Sequence, residues 1–335
     1  MTMINVSTLV EKLRTDQRVY EKIFEQRLRT LAEAKKYLVP FPVGREGEAV
    51  LVRETLGNLT QPGRKGTTNF VSSFADLKQR IGKPKPIKVD LKLTEIELAT
   101  LQRNYIARRE QADPRDIYDV AGRSYLMGRI YRKIEDEVSR AFYKGVNADT
   151  GVQGGLNLFN GFEALFLQGY LTQANGGIGD IPVENKVASP AIAITQANVI
   201  AELKKMRDVI LNSPYTKEFA DEQGTVYVDW NIIVMLNDAL EASDTNRDQV
   251  VSKGADGTYA FNSLPNVKIV APKFMWGTGN MFYSIEGNLF YLYEDEFEMQ
   301  GPAIQFEKTG RDLNIFIDGS ASVDYADGRL IILYK

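Results

Sequence analysis

The chain of 335 residues contains no histidine and no cysteine. Without cysteine there can be no disulfide, no thiolate nucleophile and no sulfur-ligated zinc. Without histidine the commonest general base and transition-metal ligand are missing as well. A net excess of either charge is missing too: 41 Lys+Arg stand against 44 Asp+Glu, a formal charge of −3. No overall field draws such a chain to nucleic acid or an anionic membrane, so contact with either needs a local patch. There is no run of about 18 apolar residues, and the first thirty residues lack the apolar core and small-residue cleavage site of a secretory leader. The expectation is a soluble chain made in the cytoplasm. Phosphate-cradling patterns are missing too. GTGN at 277–280 and GGIGD at 176–180 have glycines without the G-x-G-x-x-G spacing and read as surface turns.

What is present is a hydrophobic content of 44%, enough to bury a substantial core in one large domain or two ordinary ones. Residues 2–38 carry helical periodicity through Leu9, Leu13, Ile23, Phe24, Leu28 and Leu31, and stop at Pro40 and Pro42. Between about 44 and 87, EAVLVRET and TNFVSSFA read as two strands separated by GNLTQPGRKG, whose Gly57, Pro62, Gly63 and Gly66 mark a turn or tip carrying Arg64 and Lys65. A charged, glycine-flanked excursion of this length cannot bury itself on its own domain and is better understood lying on a neighbouring subunit.

Ile87, Val89, Leu91 and Leu93 alternate with Lys88, Asp90 and Lys92, which predicts a strand with one apolar face. A helix follows, opened by a capping box of Thr94 and Glu97. Asp113 as N-cap and Pro114 as first residue then open a helix of roughly 30 residues, about 45 Å long, closed at Gly145. Its expected stripe is Ile117, Val120, Ala121, Ser124, Met127, Gly128, Tyr131, Ile134, Val138 and Phe142, with i,i+4 pairs Arg132–Asp136, Lys133–Glu137 and Asp136–Arg140 on the polar side.

Residues 147–190 read as loops and short elements. TQANVIAELKKMRDVIL reads as a helix starting near Thr195 or Gln196, GTVYVDW as a strand, and NIIVMLNDAL as a helix or mixed segment. The last seventy residues read as strands, with Glu286-Gly287-Asn288 and Asp327-Gly328 as hairpin-type turns. The fold class is therefore α+β.

An acidic cluster is a candidate for chemistry. Glu294, Asp295, Glu296 and Glu298 could serve a glycosidase or a Mg²⁺ site, which needs neither His nor Cys, but they follow a strand and read as a solvated turn. DTNRDQ at 244–249 lacks the glycine and terminal glutamate of an EF-hand loop. No catalytic, cofactor or metal residue is assigned, and the chain is read as no enzyme.

The order of elements, arm, two-stranded excursion, strand, very long helix, α/β middle and strand-rich end, resembles the major capsid proteins of tailed bacteriophages, the HK97-like fold. DPRDIYDVAGRSYLMGRIYRKIEDEVSRAFYKG matches that family's spine helix, and EAVLVRETLGNLTQPGRKGTTNFVSSFADLKQRIGKPKP its extended loop. NVKIVAP and MFYSIEGNLFYLYED match the axial strand and hairpin. The resemblance implies an N-terminal arm at 1–44, an extended loop at 45–87, and a peripheral domain with spine helix at 88–146. An axial domain at 147–290 and peripheral C-terminal strands at 291–335 complete it.

It also implies self-assembly into hexamers and pentamers of an icosahedral head around double-stranded DNA held without sequence preference, in a virion assembled in the host cytoplasm. Gly57, Pro62, Gly63, Arg64, Lys65 and Gly66 would form the inter-subunit assembly loop. Scaffolding, portal and decoration proteins would be further partners, and scaffolding would be a separate protein unless this is the mature form. No membrane and no cofactor enter, and neither Lys65 nor Lys78 is selected for a cross-link. An encapsulin-like cargo compartment, a tail or neck component, and a carboxylate-dependent enzyme built on Glu294, Asp295 and Glu296 are the alternatives.

Overall fold

The computed structural model describes residues 5–43, 47–56, 75–107, 118, 120–148, 155–190, 193–215, 223–242, 250–254, 257–294 and 303–335. The N-terminal segment forms three helices, α1 (Val6–Thr15), α2 (Gln17–Arg29) and α3 (Ala32–Tyr37), before strand β1 (Val39–Val43). Their periodicity buries Leu9, Leu13, Tyr20, Phe24, Leu28 and Leu31 in the main core. Ile23 lies on the outer side at 37% exposure. The segment is thus packed against the body along its described length.

The excursion follows as β2 (Ala49–Leu56) and β3 (Ala75–Gly82), antiparallel from Ala49 opposite Gly82 to Leu56 opposite Ala75. The expected returning strand TNFVSSFA falls outside the described residues except for Ala75, where β3 begins. β4 (Lys85–Leu93) contains the alternating segment and buries Ile87 and Leu93. Helix α4 (Glu95–Ala107) opens with the capping box: the Thr94 N–H donates to Glu97 Oε2 at 2.8 Å and the Glu97 N–H to Thr94 Oγ1 at 3.4 Å. The Thr94 N–H and the Thr94 hydroxyl, which donates to the same Oε2 at 2.9 Å, hold the exposed Glu97 carboxyl below the usual carboxylate range.

The long helix α5 is described from Val120 to Lys144, about 37 Å of rise. Asp113, Pro114 and Ile117 lie outside the described residues. Its stripe departs from expectation in the first two turns: Val120, Ala121 and Ser124 face outward, while Gly122, Arg123, Leu126 and Met127 face inward. Arg123 sets this rotation. Its guanidinium donates to the Tyr118 carbonyl and to Asp16 Oδ2 at 2.5 Å, so a buried cation occupies the inner face where an apolar residue was expected. From Tyr131 onward Ile134, Val138 and Phe142 are buried as expected. Gly145 closes the helix by close approach and not through a left-handed backbone, since a Cβ there would collide with the carbonyl oxygens of Ala141 and Phe159.

The remaining elements are α6 (Phe162–Tyr170), β5 (Lys186–Val187), α7 (Val199–Asn212), β6 (Gly224–Val228), α8 (Trp230–Ala242), β7 (Val251–Lys253), β8 (Tyr259–Phe261) and β9 (Leu264–Val270). The C-terminal part adds β10 (Met281–Ile285), β11 (Leu289–Glu294), β12 (Ile304–Thr309), β13 (Asp312–Tyr325) and β14 (Ile331–Tyr334). NIIVMLNDAL is wholly helical, inside α8. α7 begins at Val199, a little after the expected start, with the Thr195 N–H donating to Asn198 Oδ1 at 2.7 Å.

Three sheets result. A five-stranded sheet runs β1-β11-β13-β12, with β4 also on β13; a seven-stranded sheet runs β5-β14-β10-β6-β9-β8-β7; β2 and β3 form the third. The parallel pair β6 and β9 requires a crossover, which α8 and the β7–β8 ribbon supply.

The seven-stranded sheet is a wall between two cores. Tyr227, Val270, Phe282, Ile331 and Leu333 point to the core shared with α5 and the five-stranded sheet. Their neighbours Val226, Val228, Ile269, Met281, Tyr283 and Ile332 point to the core under α7 and α8. A strand covered on both faces has no reason to alternate with polar residues. That explains why MFYSI is buried at all five positions.

Both hairpin expectations near the C-terminus are corrected. Glu286-Gly287-Asn288 joins β10 of the larger sheet to β11 of the smaller, and Asp327-Gly328 joins β13 of the smaller to β14 of the larger. These turns pass between sheets. β10 finds antiparallel partners in β14 and β6, and β11 lies between antiparallel β13 and parallel β1, so neither strand needs its chain neighbour.

Candidate assembly surface

The excursion is held to the body at its root. Ala49 and Leu51 pack with Val43, Leu292 and Ala326 in a small separate cluster. On the opposite face Val50 and Ile81, direct cross-strand partners, are 44% and 58% exposed. One face of the ribbon therefore closes on its own subunit while the other shows water an apolar pair.

Arg80 of β3 anchors this root. Its Nε donates to Asp324 Oδ1 at 2.6 Å and its Nη1 to Asp180 Oδ2 at 2.9 Å. The guanidinium lies 4.0 Å from the Tyr325 ring centroid, and the Tyr325 hydroxyl donates to Asp180 Oδ1 at 2.9 Å. Burial pushes the Asp324 carboxyl up, an effect that Arg80 and the Tyr325 N–H only partly offset. For Arg80, burial disfavours the charge, but attraction to Asp324, Tyr325 and Asp180 outweighs it. The excursion is thus pinned to the end of β13 and to the loop that contains GGIGD.

Beside this anchor, Asn288 straps the two passages between sheets. Its Nδ2 donates to the Asp327 carbonyl at 2.9 Å, the Asp327 N–H donates to its Oδ1 at 2.8 Å, and the Ala326 N–H donates to its backbone oxygen at 3.0 Å. The Asp327 carboxylate in turn accepts from the Arg329 backbone and guanidinium at 2.8–3.2 Å.

At the start of α8, the GTGN turn has a structural task. Gly277 and Gly279 sit at φ 70° and 66° and aim their N–H groups at the Asp229 carboxylate, at 3.2 and 2.6 Å. The Asn231 N–H adds a third donor at 3.1 Å. The turn binds a carboxylate of its own chain at a helix N-terminus, which leaves no open cradle for phosphate. Trp230 and Trp276, the two tryptophans of the chain, flank it with ring centroids 5.7 Å apart, each half exposed.

The expected loop residues Gly57, Pro62, Gly63, Arg64, Lys65 and Gly66 lie outside the described residues, as do 244–249, Asp295, Glu296 and Glu298. Glu294 is described and accepts from Ser320 Oγ at 2.7 Å, a strand-to-strand contact within the smaller sheet. Among the described residues, no group of three His, Cys, Asp or Glu side chains could hold a metal ion. None of their helices is long and apolar enough to cross a membrane. Sequence reasoning missed Arg80, Asp180, Asp324, Asn288 and Asp327. The only signal was an Asp or Asn beside a glycine turn or ending an apolar strand, a pattern shared by many surface residues.

No family model matches the sequence, and no curated protein does. Solved structures do match along nearly the whole chain. A chain of the satellite phage P4 procapsid, determined with its size-determination protein, is 15% identical with a TM-score of 0.51, covering 94% of this chain and 98% of that one. A chain of the cyanophage A-1(L) capsid asymmetric unit is 13% identical with a TM-score of 0.51, covering 92% of each. The chain has the HK97-like fold. In this chain α5 packs against α2, α6 and β13, and β2 and β3 form a separate two-stranded sheet. At 13–15% identity the likeness resides in backbone arrangement.

Proposed function

We propose that this protein is a major capsid protein, building hexamers and pentamers that close into an icosahedral head around double-stranded DNA. The observation that carries this reading is the likeness over more than nine-tenths of both chains to subunits of two phage shells. The physical form of the chain supports it. A 25-residue helix stiffens one part, and an eight-residue-long ribbon is fastened at its root with an apolar pair turned outward. Shells gain stability from large repeated contacts, which such a ribbon adds without enlarging the subunit core.

In this reading α5 and the smaller sheet form the peripheral part, residues 88–146 and 291–335, and the larger sheet belongs to the axial part, 147–290. Residues 45–87, with Gly57, Pro62, Gly63, Arg64, Lys65 and Gly66 at the tip, lap the adjacent subunit. Scaffolding, portal and decoration proteins are the further partners, and the site of residence is the virion after assembly in the host cytoplasm. The chain has no catalytic task in the shell.

Electron microscopy of the expressed protein tests this directly, with sedimentation alongside. Closed megadalton shells that hold duplex DNA in infected cells are the expected result. Only small discrete species under every assembly condition, or rings and tubes, would reject it. Shells filled with a folded enzyme would replace the head by a cargo compartment.

A further inference from the structure

A groove runs along the outer side of α5, where the helix departs from its expected stripe. Ser124, Gly128, Arg132 and Asp136 succeed one another at every fourth residue, and Tyr125, Arg129, Lys133 and Glu137 form the adjacent row. Arg27 of α2 and Lys273 of the short turn at 273–275 close the sides, giving a cavity of about 610 Å³. The small residues that were expected to pack inward instead form its floor. A Cβ on Gly128 would meet nothing within 4 Å.

The lining is strongly cationic for a chain of net charge −3: Arg27, Arg129, Arg132, Lys133 and Lys273 face a single lining carboxylate, Asp136. The expected Arg132–Asp136 pair does not form, because Asp136 is held by Lys273 at 2.6 Å and Arg140 at 3.0 Å. Arg27 pairs with Glu135 at 3.0 Å and Lys133 with Glu137 at 3.1 Å. Among the described residues Arg129 reaches only the Tyr125 hydroxyl, at 3.4 Å, and that ring. Arg132 makes no hydrogen bond or ion pair among the described residues and is exposed. Arg129 and Arg132, one turn apart, have no carboxylate partner among the described residues, which leaves this pair open to an anion from outside the chain.

We propose that this groove grips the phosphate backbone of double-stranded DNA without regard to sequence. The proposal rests on the reading of the protein as a DNA-filled shell, which supplies the duplex. Cations one helical turn apart stand about 5–6 Å from each other, a spacing suited to a continuous row of phosphates. Tyr125 is the only apolar-bodied residue in the lining, so the apolar anchors by which a groove seizes a peptide are missing. Backbone contact needs only cations and small polar groups, and it positions duplex without reading it. With five cations and one carboxylate in the lining of a chain of net charge −3, the rest of the chain is net acidic and the grip is local.

The test uses the purified full chain, a fluorescent 20-base-pair duplex of arbitrary sequence, and salt from 50 to 200 mM. Wild type should bind with a log–log salt slope of about −2 to −3, the value for three phosphate contacts. Gly128→Glu, which sets a carboxylate between Arg129 and Arg132 without steric conflict, should weaken binding about tenfold, as should Arg132→Gln. Gly128→Gln, equal in size, should stay close to wild type. Loss of binding in Gly128→Gln equal to that in Gly128→Glu, or full binding in both Gly128→Glu and Arg132→Gln, overturns the proposal. So does tighter binding of polyglutamate than of duplex, which would assign the groove to an acidic protein segment. Particle images separate the two readings. DNA-filled shells with unaltered binding in Gly128→Glu would sink the groove and leave the shell, and groove-dependent binding by a protein that never closes a shell would do the reverse.

Discussion

The side chain of Asn288 forms two hydrogen bonds with the backbone of Asp327, accepting from its N–H at 2.8 Å and donating to its carbonyl at 2.9 Å. These two residues lie where the chain leaves one sheet and where it returns, so their contact holds the two sheets in one orientation. Asn288 is fully buried, and Asp327 is 2% exposed. Replacing Asn288 by alanine leaves both Asp327 groups without their partner. At about 1–3 kcal/mol for each unsatisfied buried group, the loss should be roughly 2–6 kcal/mol. Urea unfolding of the subunit would measure it, and a loss under about 0.5 kcal/mol would mean that the strap is incidental.

Arg80→Met should cost about 3–5 kcal/mol, because it strands the Asp324 carboxyl in a buried place without its cation. The pH dependence follows from sign. Asp324 is already pushed above the usual range by burial, and removing Arg80 pushes it further. Its ionisation then opposes folding, so the penalty is absent below the unfolded carboxyl range and grows as pH rises through the raised folded value. The deficit of Arg80→Met against wild type should therefore shrink between pH 7 and pH 4 in paired urea titrations. A deficit independent of pH would remove Asp324 from the explanation.

Phe282 stands at the wall between the cores, stacked on Tyr227 at 4.7 Å and on Tyr143 at 5.6 Å, with Phe166 edge-on at 5.1 Å. Truncation to alanine should destabilise the subunit by about 3–5 kcal/mol. Near-ultraviolet circular dichroism and urea midpoints should change together, since the ring joins four aromatic neighbours, Phe162 at 6.2 Å being the fourth.

Gly128 offers a paired test of α5. Alanine there should stabilise by about 0.5–1 kcal/mol, because the added methyl meets no atom and the helix gains propensity. Proline should cost about 3 kcal/mol or more and damage folding. Equal stability of the two variants would contradict the helix interior at this position.

Deletion of residues 57–68 should leave the subunit folded, because Ala49, Leu51 and Arg80, which fasten the ribbon, lie outside the cut. Shell formation should fail or become fragile. Particles that withstand heating as well as wild type would reject an assembly task for the loop.

Local patterns in the sequence determined the elements. The alternation from Ile87 to Leu93 is a strand, Thr94 and Glu97 cap the next helix, and the spacing of Tyr131, Ile134, Val138 and Phe142 sets the inner face of α5. Their order was enough to place the chain in the HK97-like fold, because backbone periodicity, turn chemistry and length are properties of neighbouring residues. Tertiary structure alone decided who pairs with whom. Turn residues at 286–288 and 327–328 favour a change of direction but carry no information about partners, so β10 and β11 could separate into different sheets. The inward Arg123 and Arg80 were equally hidden, since a cation enters a core only where a distant carboxylate awaits it: Asp16 for one, and Asp180 and Asp324 for the other.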